Sequence, residues 1–128
     1  MGQPLGGKQM TKLEEEITQA KLHKGYAICF APNGAPDYAE KTTLADFACI
    51  QFTQLGEQWV ASLEDDGYKE VYLNDTDRLD DLIAAQTFNR GDFFTTKKDC
   101  LAALDYKLKS GDITEEKYNS LVDDLENC

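Results

Sequence analysis

From Phe47 to Leu73 the chain keeps a period of two, broken only at two glycine-bearing turns. A helix would scatter such a pattern around its circumference, whereas a strand gathers it on one face. The first stretch sets Phe47, Cys49 and Gln51 against Ala48, Ile50 and Phe52, and runs to Thr53. The second sets Trp59, Ala61 and Leu63 against Val60 and Ser62, and the third sets Tyr68, Glu70 and Tyr72 against Lys69, Val71 and Leu73. Leu55-Gly56 and Asp65-Asp66-Gly67 supply the turns, so a three-strand antiparallel meander is expected. Residues 26–30 are continuously apolar, as a buried strand requires, and are expected to join that sheet at one edge as a fourth strand.

Helices flank this sheet. Thr11 with Glu14 three residues on is a capping-box pattern, and Leu13, Ile17 and Ala20 trace one side of a helix ending before Gly25. Pro32, Asn33, Gly34 and Pro36 then mark residues 32–44 as a loop, with room for one helical turn. Asn74 or Asp75 caps a middle helix with Leu79, Leu82 and Ile83 inward. Thr96 opens another, lined by Leu101, Leu104 and Leu108 and stopped at Gly111. Tyr118, Leu121, Val122 and Leu125 recur at helical spacing in the last. The expectation is an α+β fold: a small antiparallel sheet with an N-terminal helix, a middle helix and a C-terminal helical hairpin. A chain of 128 residues suits one such domain, here residues 10–128 behind a flexible leader at 1–9.

Charge is distributed unevenly. The net charge is −11, and two segments carry all of it. Residues 64–81 hold Glu64, Asp65, Asp66, Glu70, Asp75, Asp77, Asp80 and Asp81 against two cations, and residues 112–126 hold six acids, among them Asp123, Asp124 and Glu126, against Lys117. Phosphate backbone would be repelled, so direct nucleic-acid binding is not expected. No apolar run is long enough to cross a membrane, and no secretory signal pattern opens the chain, which makes a cytoplasmic setting the expectation. Cys29, Cys49, Cys100 and Cys128 have no CxxC spacing, so they read as reduced thiols and not as zinc ligands.

Catalytic signatures are scarce. His23 is the only histidine, and none of the three serines stands in a nucleophile elbow. Gly6-Gly7-Lys8 lacks the spacing of a phosphate loop. Aligning Gly111 on the glycine of a calcium loop puts Tyr106, Leu108, Ser110 and Lys117 at ligand positions, a set unable to hold the ion. No enzyme activity, cofactor or metal is expected.

Two stretches resemble known sequences. Leu104 to Leu125, with Gly111-Asp112-Ile113-Thr114-Glu115-Glu116 at its turn, is similar to SHOCT-type short C-terminal helical hairpins, differing in that Lys117 replaces an acid of the capping box. That resemblance implies oligomerisation or an accessory role. Asp92-Phe93-Phe94-Thr95-Thr96-Lys97-Lys98-Asp99-Cys100-Leu101-Ala102-Ala103-Leu104 resembles a strand-to-helix step in small phage and mobile-element proteins. Those proteins have no assigned role, so the resemblance implies a phage-type origin, with a host cytoplasm as the setting of such a protein, and no activity.

The functional expectation is therefore protein–protein binding. The acidic face, Glu64, Asp65, Asp66, Asp75, Asp77, Asp80, Asp81, Asp123, Asp124 and Glu126, is expected to dock on a basic surface of another protein. An inhibitor that mimics nucleic acid, aimed at a host nuclease or defence protein, would have this character. The alternative is an assembly protein that forms homo-oligomers through its C-terminal hairpin.

Overall fold

The computed structural model describes residues 11–63, 67 and 69–128. The expected leader, the acids Glu64, Asp65 and Asp66, and Tyr68 lie outside the described residues. The elements run α1 (Lys12–Leu22), β1 (Lys24–Phe30), β2 (Pro36–Thr43), α2 (Leu44–Ala48), β3 (Ile50–Leu55), β4 (Gln58–Leu63), β5 (Lys69–Leu73), α3 (Thr76–Thr87), β6 (Gly91–Phe94), α4 (Lys97–Lys109) and α5 (Glu115–Glu126). The fold is α+β, and the described residues form five helices and two three-stranded antiparallel sheets, ordered β2-β1-β6 and β3-β4-β5.

The meander is the second sheet, in the register Ile50↔Leu63 and Phe52↔Ala61, then Ala61↔Val71 and Trp59↔Leu73. Its inner face closes a core of Ile50, Ala61, Leu63, Val71 and Leu73 with Ile17 of α1, Ala48 of α2 and Leu79 of α3. Residues 26–30 are a strand, as expected, but not a fourth strand of that sheet. They form the centre of the first sheet, between β2 and β6. Ile28 faces Cys100, Leu104, Leu121 and Leu125 of α4 and α5. Ala27 and Cys29 face Phe47 on the opposite side. A strand covered on both faces needs apolar residues at every position, hence the unbroken run.

Two further expectations are corrected. The stretch 32–44 is not all loop, because β2 pairs with β1 from Lys24↔Thr43 to Phe30↔Pro36. β2 reads as polar because it is an edge strand, and Pro36 stands at its first residue, where a missing N–H is harmless. The expected strand from Phe47 begins only at Ile50. Thr43 Oγ1 accepts the Asp46 N–H at 3.1 Å and caps the five-residue α2, which ends at Cys49 in the left-handed conformation (φ 58°). Phe47 stacks on Phe93 at 6.1 Å while Ala48 enters the other core, so α2 joins the two sheets.

The helix ends follow the caps written in the sequence. Thr11 Oγ1 accepts from Glu14 N and Glu14 Oε1 accepts from Thr11 N, a complete capping box. At the end of α4, Gly111 (φ 84°) donates its N–H to Leu108 O and Asp112 donates to Lys107 O, the paired bonds of a Schellman turn. Thr114 then caps α5 through the Lys117 N–H at 3.1 Å. The Lys117 side chain reaches the Asp37 carbonyl of β2 at 3.3 Å, giving a structural use to the lysine that departs from the hairpin pattern. Among the described residues, no helix is long and apolar enough to cross a membrane.

All four cysteines are free thiols. Cys29 and Cys100 are buried, and burial is the main cause that pushes each thiol up to about 11. Cys49 and Cys128 are exposed. A thiol reagent at neutral pH should therefore modify two cysteines quickly and the other two only on unfolding, since the thiolate is the reactive form. Four equally fast thiols by mass spectrometry would contradict the burial of β1 and α4.

Candidate partner-binding surface

The acids of the middle helix are placed by its periodicity. Leu79 is buried in its first turn, with Leu82 and Ile83 half-buried one turn on. Asp77, Asp80 and Asp81 consequently project into solvent. Asp75, also exposed, is the N-cap, and its Oδ1 accepts the Arg78 N–H at 2.9 Å. That bond and the favourable helix dipole give Asp75 a local structural role in addition to its charge.

The acids of the last helix are placed differently. Asp124 is half-buried, and its Oδ2 accepts the Ala39 N–H of β2 at 3.1 Å. Glu126 pairs with Lys97 at 3.2 Å. Asp123 is exposed. Of the three, two carboxylates are thus engaged in docking α5 onto β2 and α4. The other ion pairs among the described residues, Lys107–Asp92 and Lys109–Asp105, lie in the same half of the molecule.

α1 and α3 pack against each other over the second sheet, and this contact creates a grouping invisible in the sequence. Glu16 of α1 comes beside Asp80 and Asp77 of α3. Partial burial raises the Glu16 carboxyl above its ordinary value. The Asp80 charge, a hydrogen bond shared with Asp80 and the Asp77 charge raise it further, while Lys12 partly offsets them. The other lysine of α1, Lys21, lies over the Trp59 ring at 5.6 Å and is turned toward the sheet. None of the described ion pairs engages Glu15, Glu16, Asp77, Asp80 or Asp81.

Glu15 and Glu16 escaped the charge reading because α1 and its flanks balance Glu14, Glu15 and Glu16 with Lys12, Lys21 and Lys24. The capping box at Thr11 and Glu14 fixed the helix phase, but nothing local in the sequence names α3 as its neighbour.

The apolar stripes of the hairpin helices face inward, while Tyr106 of α4 stays exposed. Leu104, Leu121 and Leu125 are buried against Ile28 and Ala39, with Leu108, Tyr118 and Val122 packed around them. His23 is on the surface, where its ring Nε2 meets the Thr95 carbonyl at 2.9 Å. Among the described residues, no group of three or more histidine, cysteine or acidic side chains could hold a metal ion. Comparison of the chain with protein families, with curated proteins and with solved structures finds no match.

Proposed function

We propose that the protein acts by binding the cationic surface of another protein through the carboxylates of α1 and α3. The observation that carries this reading is the grouping of Glu15 and Glu16 of α1 with Asp80 of α3 around one concavity, where the neighbouring carboxylates raise Glu16 and Lys12 offsets them in part. Like charges held side by side cost stability, and a docked cation would turn that cost into attraction. The inhibitor form of the reading, in which carboxylates occupy a groove built for phosphates, rests on the same arrangement.

Stability and binding should respond in opposite directions. Glu16→Gln removes the repulsion and should stabilise the isolated protein at pH 7 by on the order of 0.2–0.5 kcal/mol. The sign with pH follows from the raised carboxyl. Its contribution is favourable below the ordinary glutamate range and is lost as pH rises through the higher folded value, so the gain from Glu16→Gln should vanish in acid. Thermal melts at several pH values check this.

Affinity capture with the tagged chain, from a lysate of its native host, tests the reading itself. Partners with basic surfaces should be recovered, less so as salt rises, and lost when Glu16→Gln, Asp77→Asn, Asp80→Asn and Asp81→Asn are combined. Competition by nucleic acid would identify the inhibitor form. Equal recovery by both chains, indifferent to salt, would leave the acids with no role but solubility.

A further inference from the structure

Between α1 and α3 the surface is concave, with a cavity volume of about 390 Å³. Ala20, Leu44, Leu79 and Ile83 lie along its floor, and Glu15, Glu16 and Asp80 stand on its rim. Glu15 and Gln19 also border a second depression that ends at Leu22, 70% exposed at the end of α1. An apolar floor therefore lies between Glu15 and Glu16 of α1 and Asp80 of α3. Two helices lying together over a sheet leave a groove that a third helix can fill by ordinary ridge-and-groove packing.

We propose that this groove receives a basic amphipathic helix of the partner, its apolar stripe seated between α1 and α3 and its lysines or arginines against Glu15, Glu16 and Asp80. The proposal deepens the charge-docking reading and rests on it. Charge complementarity selects the occupant. An acidic helix would meet three carboxylates, and a neutral apolar one would leave them facing a desolvated rim without counter-charge. A basic peptide without apolar residues would satisfy the rim but leave the floor wet. An amphipathic helix with cations flanking its apolar stripe meets both requirements, as in other helix-in-groove recognition. The raised Glu16 carboxyl is consistent with this, since an arriving cation would favour its charged form.

The test uses the full chain and three labelled model peptides at matched ionic strength. One carries leucines on one helical face and lysines on the other, one keeps the lysines but has glutamines for leucines, and one keeps the leucines but has glutamates for lysines. Fluorescence anisotropy reads affinity, and amide shifts in the full chain locate the contact. The leucine–lysine peptide should bind saturably with shifts along α1, α3 and Leu44. Affinity should fall roughly tenfold with the glutamine–lysine peptide, and by a similar factor in the Glu16→Gln, Asp80→Asn double variant. Equal binding of the glutamine–lysine peptide would overturn the groove while leaving charge docking intact. Binding of the leucine–glutamate peptide, or no binding of the leucine–lysine peptide, would also overturn it. Charge docking is judged separately by the capture experiment with the four-site variant.

Discussion

Gly91→Ala is expected to cost roughly 3 kcal/mol or more, a large share of the stability of a domain this size. Gly91 opens β6 opposite Cys29 of β1, at φ 141°, a conformation open to glycine and strained for any other residue. An added Cβ would stand 1.9 Å from the Ile28 carbonyl oxygen and 3.0 Å from its carbon. Both atoms are backbone of the central strand, so no side chain can swing aside to make room. Gly25 is under a similar constraint, because a Cβ there would meet Phe93 Cζ at 2.4 Å and the Phe94 carbonyl oxygen at 2.5 Å. The first sheet closes only because neither strand carries a side chain at these points. Gly34→Ala is the control. Its φ is 87° with nothing within 4 Å, so it should show only the conformational cost, about 1 kcal/mol. Chemical denaturation of the two variants decides the matter, and equal losses would show that β1 and β6 do not approach this closely.

The second large effect is expected at Leu125→Ala, with a loss of roughly 2–4 kcal/mol in chemical denaturation at unchanged m-value. Leu125 is 1% exposed and shares its core with Ile28, Cys100, Leu104 and Leu121. Truncation leaves a cavity walled by two helices and a sheet, which cannot all collapse onto it. A loss near zero would mean that α5 is not docked. The hairpin would then be available for self-association, and the assembly reading would replace the one proposed.

The fold was legible wherever one residue pattern had one structural solution. Lys69 to Leu73 alternates because one face of its strand is buried, and Thr11, Thr96 and Gly111 act locally, within a turn of their own positions. Legibility failed where the pattern was ambiguous. Phe47, Cys49 and Gln51 alternate by coincidence, since Phe47 serves one core from a helix and Cys49 turns the chain. β2 carries Asp37, Glu40 and Lys41, which suit a loop as well as an edge strand. The same limit applies to the candidate surface. Asp77, Asp80 and Asp81 could be read as exposed from the phase of Leu79, but Glu15 and Glu16 join them only through the packing of α1 on α3. The engagement of Asp124 with Ala39 spans 85 residues and leaves no local trace.

That long span has a kinetic consequence. β1 and β2 are joined by a short loop and can pair as soon as both are present, since closing so few residues costs little entropy. The outer rim of β2 is bonded from much farther along the chain, where α5 brings Asp124 to Ala39 and Lys117 to Asp37. Until α5 docks, an eight-residue strand paired on one side only would offer its other side to neighbouring molecules. In that state the charges of Asp37, Glu40 and Lys41 would oppose intermolecular strand addition. The polarity that disguises β2 as a loop is also what keeps nascent chains apart until α5 arrives.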